Sequence, residues 1–105
     1  MKPPRHAEAG RLAKTLRHIA HPLRLLIVCM LSSGEKCAGD ISGPLGTTRG
    51  NVSQHLRILT DNGVLSRRKD GNKVFYGISD GRMSEMVAMM RRLYCPGRTP
   101  AAGRP

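Results

Sequence analysis

Residues 45–78 read LGTTRGNVSQHLRILTDNGVLSRRKDGNKVFYGI, and the reading of this stretch decides the fold. Thr47 or Thr48 is placed to cap a helix, because a hydroxyl there accepts a bond from a free helical N–H. Val52, Leu56 and Leu59 recur at helical spacing and are expected to face a core. Arg49, Ser53 and Arg57 are four apart, so they line up on a second, cationic face with Gln54 beside it. Asn62-Gly63 ends the helix, Gly being favoured where the chain turns left-handed. Val64 to Arg68 reads as a strand, Asp70-Gly71-Asn72 as a turn, and Lys73 to Ile78 as the return strand. Arg67, Arg68, Lys69 and Lys73 gather cations around this hairpin.

A helix with a hydrogen-bonding face followed by a basic hairpin suits double-stranded DNA. The major groove admits a helix whose polar side chains meet base edges, and hairpin cations neutralise flanking phosphates. The candidate contacts are Thr48, Arg49, Asn51, Ser53, Gln54, His55 and Arg57 on the helix, with Arg67, Arg68, Lys69 and Lys73 on the hairpin. Each feature alone is equally an ordinary solvated surface. Their order, behind an upstream helix pair, is what points to DNA.

The chain has 105 residues, enough for one small domain. Lys and Arg number 18 against 7 Asp and Glu, a formal charge of +11 that suits a polyanionic partner. Aromatics are confined to Phe75, Tyr76 and Tyr94, which argues against a large ring-lined pocket. The longest apolar run, Leu25 to Leu31, is too short to span a bilayer, and the N-terminus has no signal-type apolar block. An odd count of three cysteines fits a reducing compartment better than a disulfide framework, so the expected location is cytoplasmic. No nucleophile–base pairing, glycine-rich phosphate loop or carboxylate pair suggests an enzyme.

Residues 1–7 are Pro- and charge-rich and are expected to be flexible. Ala9, Leu12, Ala13, Leu16, Ile19 and Ala20 then mark an amphipathic helix. His21-Pro22 breaks it, and Pro22 suits the first turn of the next helix. Leu23 to Leu31 is apolar nearly all round, which predicts a helix buried on most sides, stopped by Ser32-Ser33-Gly34. Cys37 to Leu45 is a short helix or turn carrying Ile41 and Leu45, and with the helix after Gly46 it makes a helix-turn-helix layout. Ser79-Asp80-Gly81 caps a last helix marked by Met83, Met86, Val87, Met90 and Leu93, which Cys95-Pro96-Gly97 ends. Residues 96–105 read as a disordered tail and 8–95 as the folded unit. The expected fold is mainly α with a small β-hairpin, a winged helix-turn-helix of order ααααββα. The apolar stripes of the first and last helices predict a homodimer built on them, which would set two recognition helices about one DNA turn apart.

The strings IAHPLRLLIVCMLSSGE and ISGPLGTTRGNVSQHLRILTDNGVLSRRKDGNKVFYGIS resemble the ArsR/SmtB family of winged-helix bacterial repressors over roughly residues 12 to 95. The resemblance implies a homodimeric repressor that leaves its operator when an inducer binds. Thr48-Arg49 departs from the Ser-Gln pair that many members carry, and Arg suits guanine where Gln suits adenine. Gly50 inside the helix costs about 1 kcal/mol against Ala.

The resemblance also directs attention to metals. One family site uses a C-x-C-D pattern, of which Cys37-Ala38-Gly39-Asp40 keeps one thiolate. Another uses Asp and His pairs on the last helix, where this chain has Asp80 but Arg82 in place of a His. Those sites are broken, so no metal or other cofactor is expected. His6, His18, His21 and His55 share no ligand-like spacing. Cys29, in LLIVCML, and Cys95, in MRRLYC, match the cysteine pair of the sulfide/persulfide-responsive branch, the BigR/SqrR-type repressors. That likeness implies a disulfide or polysulfide bridge formed with reactive sulfur as inducer, followed by release of DNA. Arg91 and Arg92 lie within a turn of Cys95 and are expected to favour its thiolate. Cys37 has no counterpart in the pair and reads as incidental or as a cap position. Two other readings stay open: a metalloregulator sensing arsenite or copper(I) through thiolates, and a constitutive nucleic-acid packaging protein using charge alone.

Overall fold

The computed structural model describes residues 2–95, ordered α1 (His6–Ile19), α2 (Pro22–Leu31), β1 (Lys36–Cys37), α3 (Ala38–Leu45), α4 (Arg49–Asp61), β2 (Leu65–Asp70), β3 (Lys73–Ile78) and α5 (Gly81–Tyr94). The expected order is present with one addition, the short strand β1. It pairs antiparallel with β3 through Lys36↔Tyr76 and Cys37↔Phe75, so the hairpin becomes a three-stranded sheet of order β1-β3-β2. The hairpin runs in the register Leu65↔Ile78 to Asp70↔Lys73, closed by Gly71 at φ 65°.

Local signals set most boundaries. The Arg5 N–H donates to the Glu8 carboxylate at 2.9 Å, which closes the first turn of α1 and starts it at His6, inside the stretch expected to be flexible. The His21 ring Nδ1 accepts the Leu23 N–H at 3.1 Å, so His21 caps α2 with Pro22 in its first turn. Thr48 Oγ1 accepts the Asn51 N–H at 3.1 Å and caps α4. The Asp80 carboxylate accepts the Arg82 N–H at 2.9 Å and caps α5. The Arg82 guanidinium bonded to the carboxylate, and after it that backbone bond, hold Asp80 down to a pKa of about 2. The tail from Pro96 onward, expected to be disordered, and Met1 lie outside the described residues.

One core joins these elements. Ile27, Val28 and Leu31 of α2 meet Ile41 of α3, Val52, Leu56 and Leu59 of α4, Leu65 of β2, and Met83 and Val87 of α5. The α4 stripe is fully buried, as its spacing requires. α2 is more exposed than an all-apolar run suggests: Leu25 and Leu26 stay 38% and 50% accessible. Such a helix has no periodicity from which to read its outer side; Ile27, Val28 and Leu31 are buried, and Leu23, Cys29 and Met30 pack part-buried against the same core. Leu12 and Leu16 of α1 and Met89 and Leu93 of α5 are also exposed. No helix among the described residues is long and apolar enough to cross a membrane.

Candidate nucleic-acid interface and thiol pair

With Val52, Leu56 and Leu59 facing the core, helical geometry turns Arg49, Ser53, Gln54 and Arg57 outward, and all four are exposed. Arg57 lies 3.8 Å from Asp61 one turn on. Arg49 rests against α3: a Cβ on Gly39 would sit 2.5 Å from its Nη2. Gly50 has open space around it, so no packing inside the chain demands a glycine there. Asn51 is turned back into the cap, its Nδ2 donating to Thr47 Oγ1 at 3.0 Å.

His55 is placed differently from the expectation that it faces DNA. It falls between Val52 and Leu59 at the edge of the buried stripe, and its ring turns toward α2. Arg24 Nε donates to His55 Nδ1 at 3.1 Å, and the ring lies 4.8 Å from that of His21. Arg24 also donates to the His18 carbonyl at 3.3 Å. Burial, then the neighbouring His21 and Arg24, push the His55 pKa down, which favours the neutral ring. The fold thus joins two histidines that share no spacing in sequence.

The wing cations divide into two kinds. Arg68 is committed: its Nη2 and Nε donate to Glu35 Oε1 at 2.8 and 3.1 Å, and its guanidinium lies 4.9 Å from the Phe75 ring centre. This pairing holds the Glu35 carboxyl below its ordinary range. Arg68 therefore ties the wing to the segment between α2 and β1. Arg67, Lys69 and Lys73 are exposed, and among the described residues no carboxylate lies within ion-pair distance of them.

The cysteines are free thiols. Cys29 is half-buried on α2, and Cys95 is exposed at the C-terminal cap of α5, which packs on α2. Burial raises the Cys29 thiol pKa, Arg91 opposes that rise, and Cys95 adds to it. Arg91 Nη1 donates to the Cys29 carbonyl at 3.3 Å, whereas Arg92 turns to Met89 Sδ at 3.1 Å. Cys37 stands apart as the capping position of α3, its Sγ 3.1 Å from Asp40 Oδ2, a bond that lowers the Asp40 pKa. Among the described residues no three His, Cys, Asp or Glu side chains gather closely enough to hold a metal ion.

Residues 21–67 match the family model described as "Bacterial regulatory protein, arsR family". The HTH-type transcriptional regulator YgaV of Escherichia coli K12 is 34% identical over 91 residues, 86% of this chain and 92% of its own length. This chain belongs to the ArsR family. The solved structure of HlyU from Vibrio cholerae matches with a TM-score of 0.81 at 32% identity, over 87% of this chain and 99% of that one. The repressor BigR from Xylella fastidiosa matches with a TM-score of 0.78 at 27% identity, over 85% and 91%. The ArsR-family chain is accordingly a winged-helix transcriptional regulator, and its relatives are regulators rather than enzymes.

Two features of this ArsR-family regulator's candidate site escape a reading of its sequence. One is the Arg24–His55 bond between α2 and α4; the edge position of His55 on the buried stripe is the signal that could have found it. The other is Glu35 as the partner of Arg68, 33 positions away, for which no local pattern exists.

Proposed function

We propose that this chain is a dimeric repressor that reads a palindromic operator and releases it when reactive sulfur links Cys29 to Cys95. The reading is supported by the packing of α2, which carries Cys29, against α5, which ends at Cys95, and by the bond from Arg91 of α5 to the Cys29 carbonyl. Arg49, Ser53, Gln54 and Arg57 face the bases, and Thr48 and Asn51 hold the start of the helix in place. Arg67, Lys69 and Lys73 take the phosphates, where each cation adds affinity but little sequence information. Leu12 and Leu16, Leu25 and Leu26, and Met89 and Leu93 supply the apolar surface that a second copy covers.

The chemistry follows from exposure. Cys95 meets solvent first: its thiolate attacks the outer sulfur of a low-molecular-weight persulfide RSSH, releasing RS⁻ and leaving Cys95–S–SH. The Cys29 thiolate then attacks the Cys95 sulfur and expels HS⁻, forming the Cys29–Cys95 disulfide. The two thiols are oxidised and the sulfane sulfur is reduced to sulfide. If both cysteines are first persulfidated, their reaction gives a trisulfide and one H₂S. A direct disulfide needs Cα atoms within about 7 Å, and an inserted sulfur relaxes that demand. The bridge ties α2, which supports the helix-turn-helix, to α5 on the dimer surface. A coupling of about 1–3 kcal/mol would weaken operator binding about 5- to 150-fold.

The test is a gel-shift series on an operator selected from random duplexes, with reductant, glutathione persulfide, peroxide or arsenite, and with Cys29→Ser and Cys95→Ser alongside. Both variants bind the operator and ignore persulfide. Release of either variant by persulfide overturns the sulfur reading, and release of the wild type by arsenite alone points instead to a soft-metal sensor. A protein that binds without sequence preference is neither. Mass spectra of the released wild type read the number of bridging sulfurs.

A further inference from the structure

Arg91 joins the last turn of α5 to the main chain at Cys29. Its guanidinium Nη1 reaches across to the Cys29 carbonyl at 3.3 Å, while its own carbonyl accepts the Cys95 N–H at 2.8 Å, the helical bond that closes α5. The Cys29 carbonyl also takes the Ser32 hydroxyl at 2.6 Å and the Ser32 N–H at 3.3 Å, so a cluster of donors fixes the last turn of α2. A cation is favoured there, where helix carbonyls leave partial negative charge. Arg92, exposed and turned to Met89, makes neither contact.

We propose that Arg91 is the positioning residue of the thiol switch: by anchoring the turn of α5 that ends at Cys95 to the Cys29 carbonyl, it holds the two sulfurs in reach and governs how fast the bridge closes. The proposal rests on the reading of Cys29 and Cys95 as the responsive pair. It reassigns the arginine effect expected from sequence, because the guanidinium acts on Cys29 of α2 rather than only on its near neighbour in the chain. Cys29 is the thiol that needs help: half-buried, it resists ionisation, and Arg91 is the cation working against that burial. Of the two steps, the first takes place at exposed Cys95 and is little affected by Arg91. The second, attack by the Cys29 thiolate, depends on both the placement and the charge that Arg91 supplies.

The full-length protein is mixed with glutathione persulfide, quenched at intervals and read by mass spectrometry across a pH series, for wild type, Arg91→Gln and Arg91→Lys. Arg91→Gln accumulates Cys95 persulfide and closes the bridge on the order of tenfold more slowly near neutral pH, the effect of losing one charge-assisted hydrogen bond. Its closure profile moves to higher pH, because burial then acts on Cys29 unopposed. Arg91→Lys restores the pH profile but only part of the rate, since a point charge lacks the guanidinium fork. Operator affinity of the reduced proteins stays level, which shows that the variants are folded. Closure by Arg91→Gln at the wild-type rate and pH profile overturns the role of Arg91 while leaving the sulfur reading intact. A wild type that never links the two thiols overturns that reading, and the role of Arg91 with it.

Discussion

The pairing of the wing cations makes a prediction that separates neighbours in sequence. Arg67, Lys69 and Lys73 are exposed without a carboxylate partner among the described residues, whereas Arg68 is held by Glu35 and lies on the Phe75 ring. Each phosphate contact on duplex DNA releases condensed counterions, giving a slope in log K against log salt of about −0.9. A dimer carries two wings, so Lys69→Ala should flatten the slope by about 1.8. Between about 50 and 200 mM salt, wild-type affinity should then fall about twelvefold more than that of the variant. Arg67→Ala and Lys73→Ala should behave alike. Arg68→Ala should leave the slope nearly unchanged, because its guanidinium already has an anion. Glu35→Gln should steepen the slope, because it frees Arg68 for phosphate.

The assay is a salt titration of operator binding by fluorescence anisotropy, with fitted slopes compared across the five variants. Absolute affinity is the weaker readout, since a loosened wing lowers it for reasons unrelated to charge. Equal slopes for Arg68→Ala and Lys69→Ala would refute the reasoning: they would mean that DNA strips Arg68 from Glu35 on binding and that the geometry of the free wing does not predict its contacts.

Other consequences are open to simpler measurement. Leu56→Ala removes a fully buried side chain from the middle of the core, and urea denaturation should show a loss of about 2–5 kcal/mol. Thr48→Ala removes the hydroxyl that caps α4 and should cost about 1 kcal/mol by the same method, with a larger proportional loss in operator affinity than in stability. The lowered pKa of His55 means that the unfolded chain binds the proton more readily than the folded one, so the contribution of this residue to stability falls as pH drops below its ordinary value of 6.5. Melting temperatures measured from pH 8 to 5 should decline less in His55→Gln than in the wild type.

What the sequence disclosed and what it concealed differ in kind. Val52, Leu56 and Leu59 were legible because one helix face repeats within a dozen residues, and the hairpin because Asp70-Gly71-Asn72 supplies its own turn chemistry. The Thr48 and Asp80 caps are likewise local. Strand β1 was not legible: Lys36 and Cys37 have no pattern of their own and are extended because β3 offers them a free edge. The start of α1 depends on Glu8 reaching back to Arg5, a signal masked by the surrounding prolines and charges. At the site, the outward face of α4 and the basic wing follow from spacing. Which cations are spoken for does not, because Glu35 and Arg24 reach their partners only through the tertiary fold.

The proposed switch gains its reach from the position of α2. This helix packs against α1, α3, α4 and α5 and against β3, so a movement of it would reach the elements that carry the proposed dimer and DNA surfaces. Cys29 and Arg24 lie five positions apart on it, about 140° around an α-helix, and so face different neighbours. Cys29 looks to α5 through Arg91, and Arg24 looks to the recognition helix through His55. A bridge that pulled Cys29 toward Cys95 and rotated α2 would also move Arg24 relative to His55. Ile27 and Val28 between them are fully buried, and such close packing favours movement of the helix as a body. Under the proposed switch, a bond made at the outer end of α5 would thereby change how α4 is seated, without the thiols approaching DNA at all.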